Sequence, residues 1–118
     1  MSKHLKAEHD RLLREIAAIR VTGPVAPSGV SIAQYNVRSG DNLYDYWKLV
    51  AKEPIFKGQT GKKTKTRHLG SRDSKEYCDA ELSIQRRNAI AHLERQRLKV
   101  FELINEWAPC AKNFHSSR

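Results

Sequence analysis

From Ser74 to Trp107 the chain contains neither glycine nor proline, and Pro109 closes the stretch. An uninterrupted run of this kind predicts one helix over 74–107, about 50 Å long at roughly 1.5 Å per residue. Asp73, with Glu76 three positions on, predicts its N-cap and capping-box partner. The apolar positions divide into two groups. Tyr77, Ala80 and Ile84 form the first; beyond the polar cluster Gln85-Arg86-Arg87-Asn88, a second stripe holds Ile90, Leu93, Phe101, Ile104 and Trp107. The 118 residues predict a single domain with one modest core. A small core cannot cover a helix that long, so its second half needs another partner.

The N-terminal segment supplies one. Over 2–20, Leu5, His9, Leu12, Ile16 and Ile19 recur at alternating steps of four and three, a helical seam that Leu13 and Ala17 widen. His9 in this seam is expected to be part-buried and hydrogen-bonded, because a metal site needs further ligands nearby. Val21-Thr22-Gly23-Pro24 ends the helix. The two terminal helices are expected to form a helical hairpin arm, with Leu12, Ile16, Phe101, Ile104 and Trp107 as a partner interface and left-over apolar surface favouring a homodimer.

Between the helices, residues 30–70 predict an antiparallel meander. Val30 to Val37 is β-like and is followed by the turn Ser39-Gly40-Asp41-Asn42. Leu43 to Val50 is aromatic-rich and apolar on both faces, which suits a central strand covered on one side by a helix. Trp47 is expected in the core, with Tyr44 and Tyr46 on the opposite face. After Pro54 and the glycine-bearing turn Lys57-Gly58-Gln59-Thr60-Gly61-Lys62, Lys63 to Leu69 reads as a third strand. The fold class is therefore α+β: a three-stranded antiparallel sheet on one helix, with both terminal helices packed as a hairpin.

The charge is concentrated. The net charge is +9, which favours an acidic partner. From Ser74 to Trp107 cations and carboxylates balance, whereas Pro54 to Arg72 carries Lys57, Lys62, Lys63, Lys65, Arg67 and Arg72 with no acid. A further small surplus, Lys112 and Arg118, lies in the tail at 108–118. In a continuous strand Lys63, Lys65 and Arg67 would share one side, with Thr64, Thr66 and His68 on the other. Such a row suits a phosphate backbone; it equally suits a soluble edge strand, since lysine prevents edge-to-edge pairing. Arg86 and Arg87, adjacent in mid-helix, read either as a solvated face or as contacts to phosphate and a base edge.

Catalytic motifs are absent from the sequence. There is no Gly-x-Ser-x-Gly, no His-Glu-x-x-His, and the Gly58 to Lys63 turn lacks the Ser/Thr of a phosphate-binding loop. The histidines have no metal-ligand spacing. No enzyme activity, metal or cofactor is expected; a nuclease would have to draw acidic ligands from distant positions. Cys78 and Cys110 are too few for a disulfide framework. No apolar run reaches the ~18 to 20 residues of a bilayer span, and the N-terminus lacks an apolar leader core. A cytoplasmic protein without membrane contact is the expectation.

The succession of short strands, the Gly-Lys turn, Leu69-Gly70, then Ser74-Lys75-Glu76-Tyr77 and Ala80 opening a helix resembles the arm-type DNA-binding modules of tyrosine integrases. The resemblance covers about Val30 to Leu93. It implies a three-stranded sheet placed in the major groove, with Lys48, Lys63, Lys65 and Arg67 facing DNA. The chain departs from those modules in its loop around Pro54 and its flanking helices, and the 118 residues hold no recombinase catalytic domain. Tyr44 to Leu49 followed by Gly61-Lys62-Lys63-Thr64 is also similar to short bacterial proteins associated with phage and mobile elements, a likeness that carries no activity.

Two functions are thus expected to compete. One is a non-catalytic nucleic-acid-binding accessory protein that grips DNA or RNA phosphates through Lys48, Lys57, Lys62, Lys63, Lys65, Arg67 and Arg72, flanked by Arg86 and Arg87. The other is a protein-interaction module, a dimeric scaffold or a small inhibitor of a larger nucleic-acid-processing protein, docking through the helical arm and the basic loop.

Overall fold

The computed structural model describes residues 3–107, with Trp107 by its backbone alone. The Trp107 side chain and the basic tail at 108–118 therefore lie outside the described residues. In chain order the elements are α1 (Lys3–Val21), β1 (Ser31–Ser39), β2 (Asn42–Val50), β3 (Phe56–Lys57), β4 (Lys63–Thr64), β5 (Thr66–Gly70) and α2 (Lys75–Trp107). The fold is α+β, with a three-stranded antiparallel sheet in the order β1-β2-β5 and a separate two-stranded sheet of β3 and β4. The chain divides into two compact units, Pro24–Arg87 and Met1–Gly23 with Asn88–Arg118, the second helical over most of its described residues; α2 contributes to both.

In the helical unit α1 packs on the second half of α2. Leu12 is 1 % exposed, and Ile16 and Ile90 are buried with it. This corrects the expectation that Leu12 and Ile16 offer a partner interface: the seam they belong to is consumed inside the chain. Phe101 remains 46 % exposed, and Ile104 is half-buried. His9 behaves as its seam position implies, accepting from Arg97 Nη1 at 3.3 Å and lying 6.0 Å from the Phe101 ring. Arg97 also forks onto Glu94, Nε to Oε1 at 3.0 Å and Nη2 to Oε2 at 3.1 Å. That hydrogen bond holds the Glu94 carboxyl below the usual carboxylate range, reinforced by the charges of Arg97 and Arg20. On α1, Arg11 bonds both Glu8 and Glu15 on the exposed face.

In the other unit the β1–β2 hairpin closes through Gly40 and Asp41, with Ser39 paired to Asn42. Gly40 has φ +63° while Asp41 does not adopt positive φ, the pattern of a two-residue turn whose first position requires glycine. Val30, Leu49, Ala51, Leu69, Tyr77 and Ala80 form the core, with Ile32, Trp47, Phe56 and Ile84 packed against it. Burial of a Val or Leu side chain at such a position contributes about 1.5–3 kcal/mol. Trp47 meets Tyr77 edge-on at 5.7 Å, so α2 covers the sheet face that carries Trp47. The start of α2 is set by Ser74, one residue later than the cap expected at Asp73. Ser74 Oγ accepts from the Tyr77 amide at 3.1 Å and donates to the Leu69 carbonyl at 2.7 Å. One hydroxyl thus caps the helix and ties it to β5, which Asp73 is placed one residue too early to do.

Residues 24–30 lie along α2. The Ala26 amide donates to the Ser83 carbonyl at 3.0 Å. Arg86 Nη1 donates to the Pro24 carbonyl at 3.1 Å, and Arg87 Nη1 to those of Pro27 at 2.9 Å and Val30 at 2.6 Å. The adjacent arginines therefore anchor the segment that delivers Val30 to the core.

Candidate functional site

The basic segment is not one strand. The Ala51 amide donates to the Lys65 carbonyl at 2.8 Å, and Thr64 Oγ1 donates across the break to the Thr66 carbonyl at 2.8 Å. These bonds kink the chain at Lys65, so Lys63 belongs to the β3–β4 pair and Arg67 to the β2–β5 pair. The single row of Lys63, Lys65 and Arg67 is thereby overturned.

What replaces it is a small protruding hairpin. Phe56 packs against the core, so alternation turns its neighbour Lys57 away from the core. In the ladder Phe56 pairs with Thr64 and Lys57 pairs with Lys63. The turn is closed by Gly58 N to Lys62 O at 2.8 Å and Gly61 N to Gly58 O at 3.1 Å. A Cβ on Gly58 would stand 2.7 Å from the Lys62 carbonyl oxygen, so close approach of backbone requires glycine there.

Between this hairpin and β5 lies an open groove of about 430 Å³ lined by Lys57, Gly58, Gln59, Thr60, Thr64, Thr66, Arg67 and His68. Arg67 and Lys57 also border an adjoining hollow with Ile55 and Phe56. Lys62, Lys63 and Lys65 of the same segment are exposed, as is Arg72 after β5. Among the described residues, none of Lys57, Lys62, Lys63, Lys65, Arg67 and Arg72 forms an ion pair; the ion pairs belong to Arg11, Lys75 and Arg97. The structure thus sets Lys57, Lys62 and Lys63 on one hairpin with Lys65 at the kink that follows it; Arg67 also borders a hollow with Glu76 and Asp79 of α2, and Arg72 follows the far end of β5. It places Lys48 apart from them, on the sheet face opposite α2.

That face has a feature the sequence reading missed. The register sets Tyr35 opposite Tyr46 and Lys48 opposite His68. In the Nε2–H tautomer of His68, the Tyr35 hydroxyl donates to Nδ1 at 2.9 Å. The two rings meet edge-on at 5.4 Å, and Lys48 Nζ lies 5.4 Å from the Tyr35 centroid. Tyr46 is tilted against Tyr35 at 5.9 Å, and Tyr44 is 45 % exposed beside them. Tyr35 and His68 are far apart in sequence, and only the alternation of β1 with Ala33 and Val37 hinted that Tyr35 would share this face.

No three His, Cys, Asp or Glu side chains converge on a common point among the described residues, and no described helix is long and apolar enough to cross a membrane. No family model, curated protein or solved structure matches the chain.

Proposed function

We propose that this chain is a non-catalytic nucleic-acid-binding protein whose β3–β4 hairpin, with β5, grips the phosphate backbone. The observation that carries this reading is the Lys57–Lys63 cross-strand pair, unpartnered by any carboxylate and set among other free cations. Like charges directly opposite one another destabilise a ladder. A chain that places them on a two-residue hairpin gives up local stability, and a bound phosphate is the partner that restores it. Lys57, Lys62, Lys63, Lys65, Arg67 and Arg72 are the phosphate contacts. Arg86 and Arg87 act by holding the Pro24 to Val30 segment in place.

The test is titration of duplex DNA, single-stranded DNA and structured RNA at two salt concentrations, with Lys57→Glu combined with Lys63→Glu as control. Salt-sensitive binding of at least one of them, lost in the control, is expected. Salt-insensitive binding, or binding that survives the control, overturns the reading.

A second reading draws on Leu98, Phe101 and Leu103, each more than two-fifths exposed on α2. Docking of a larger protein or a second copy there would be abolished by polar substitution of these residues and indifferent to the hairpin charges.

A further inference from the structure

We infer that the sheet face opposite α2 is a stacking platform for unpaired bases, which makes single-stranded nucleic acid the ligand of the site. The inference rests on the proposed phosphate grip and adds to it the part of the ligand that a phosphate grip does not read.

The register assigns this face to Ser31, Ala33, Tyr35, Val37 and Ser39 of β1, Asn42, Tyr44, Tyr46, Lys48 and Val50 of β2, and Thr66 and His68 of β5. None of these is a carboxylate, although Asp45 lies on the other face of the same strand. Within Pro24–Arg87, α2 covers only the Trp47 face. Tyrosines left half-exposed on an uncovered sheet are unusual unless a ligand meets them, because buried aromatic area is a large source of stability.

Tyr35 is held in place by its bond to His68 and by Lys48 over its ring. It fixes the centre of the platform, and Tyr44 and Tyr46 are the rings left to meet a ligand. His68 belongs to this cluster and also lines the groove beside the basic hairpin, with Lys57 and Arg67. The rings therefore meet the groove of the basic hairpin at one residue, whereas Arg67, paired with Leu49, lies on the α2 face. A ligand complementary to both carries flat π-faces and regularly spaced negative charge. An unpaired strand has these; a duplex keeps its base faces stacked inside. An acidic protein surface would satisfy the cations and leave the rings without a counterpart.

The test compares three probes: an oligothymidylate of about 12 nucleotides, an abasic strand with the same phosphates, and a duplex of equal length. The oligothymidylate is expected to bind about five- to a hundredfold more tightly than either of the others. Tyr46→Ala should cut that advantage with an unchanged salt slope, and Tyr46→Phe, which keeps the ring, should preserve it. Lys57→Glu with Lys63→Glu should weaken all three probes alike. Equal binding of the abasic and thymidylate strands, unaffected by Tyr46→Ala, overturns the platform and leaves the phosphate grip standing. Loss of the advantage in Tyr46→Phe as well also overturns it, because a hydroxyl contact would then be responsible. Failure of every probe to bind overturns both.

Discussion

Lys57 and Lys63 face each other across the β3–β4 ladder, so two like charges share one side of a hairpin whose strands are two residues each. Phe56, packed toward the core, fixes which side that is. The arrangement leads directly to a trade between local stability and binding.

Replacing Lys57 by Glu turns a repulsive cross-strand pair into an attractive one, a change of about 0.2–1 kcal/mol in favour of the hairpin. The variant is expected to protect the Ile55 and Gly58 amides better from hydrogen exchange, since these amides donate within the hairpin. Its affinity for nucleic acid is expected to fall. Hydrogen exchange by NMR and a binding titration on the same sample check both halves.

Gly58→Ala acts on the same element by geometry. The added Cβ meets the Lys62 carbonyl oxygen, so the turn must open. Binding is expected to weaken while the far-ultraviolet signal of α1 and α2 stays unchanged, because neither helix depends on this turn. Circular dichroism beside a titration measures this.

Arg87→Ala separates a structural arginine from a phosphate-binding one. It removes a donor from the Val30 carbonyl and leaves the Pro27 carbonyl only the 3.4 Å bond from the Val30 amide, at a cost of about 1–3 kcal/mol. A lower midpoint in urea denaturation is expected, with the salt slope of binding unchanged.

Much of the architecture was legible in the sequence because it depends on local rules. The absence of Gly and Pro fixed α2 as one helix, and the Ser39 to Asn42 turn fixed the β1–β2 register. Aromatic content marked β2 as the central strand. The site was less legible. The kink at Lys65 arises from the Ala51 and Thr64 hydrogen bonds, and no residue near Lys65 signals a break. The Tyr35–His68 bond joins two edge strands through the strand between them, so it follows from register and not from spacing. Leu12 and Ile16 illustrate a different limit. Their seam was read correctly as apolar, but periodicity alone does not say whether a seam is covered by the chain itself or by a partner.

Leu12→Ala, at a fully buried position of the helical unit, is expected to cost about 2–5 kcal/mol. Leu98→Ser, at an exposed one, is expected to change stability by less than about 0.5 kcal/mol. Chemical denaturation of the two variants side by side checks the difference.

Acid should loosen the helical unit. Glu94 has a folded-state carboxyl held below its ordinary range by Arg97. Its stabilising contribution is therefore complete above the ordinary glutamate range, near about pH 4.3, and is lost as pH falls through the lower folded value. Because the pair is largely solvated the effect is small. Glu94→Gln is expected to flatten the acid limb of the stability profile and leave the neutral region nearly unaltered, as read by thermal melts across pH.

The most direct test of the phosphate grip is the dependence of log affinity on log salt for the unaltered protein and for the Lys57→Glu, Lys63→Glu double variant. With about four to six phosphates neutralised at roughly 0.7–0.9 each, a slope of roughly −3 to −5 is expected, and the double variant should be shallower by about two contacts' worth. A flat response in the unaltered protein, or a slope that the double reversal leaves intact, would contradict the account.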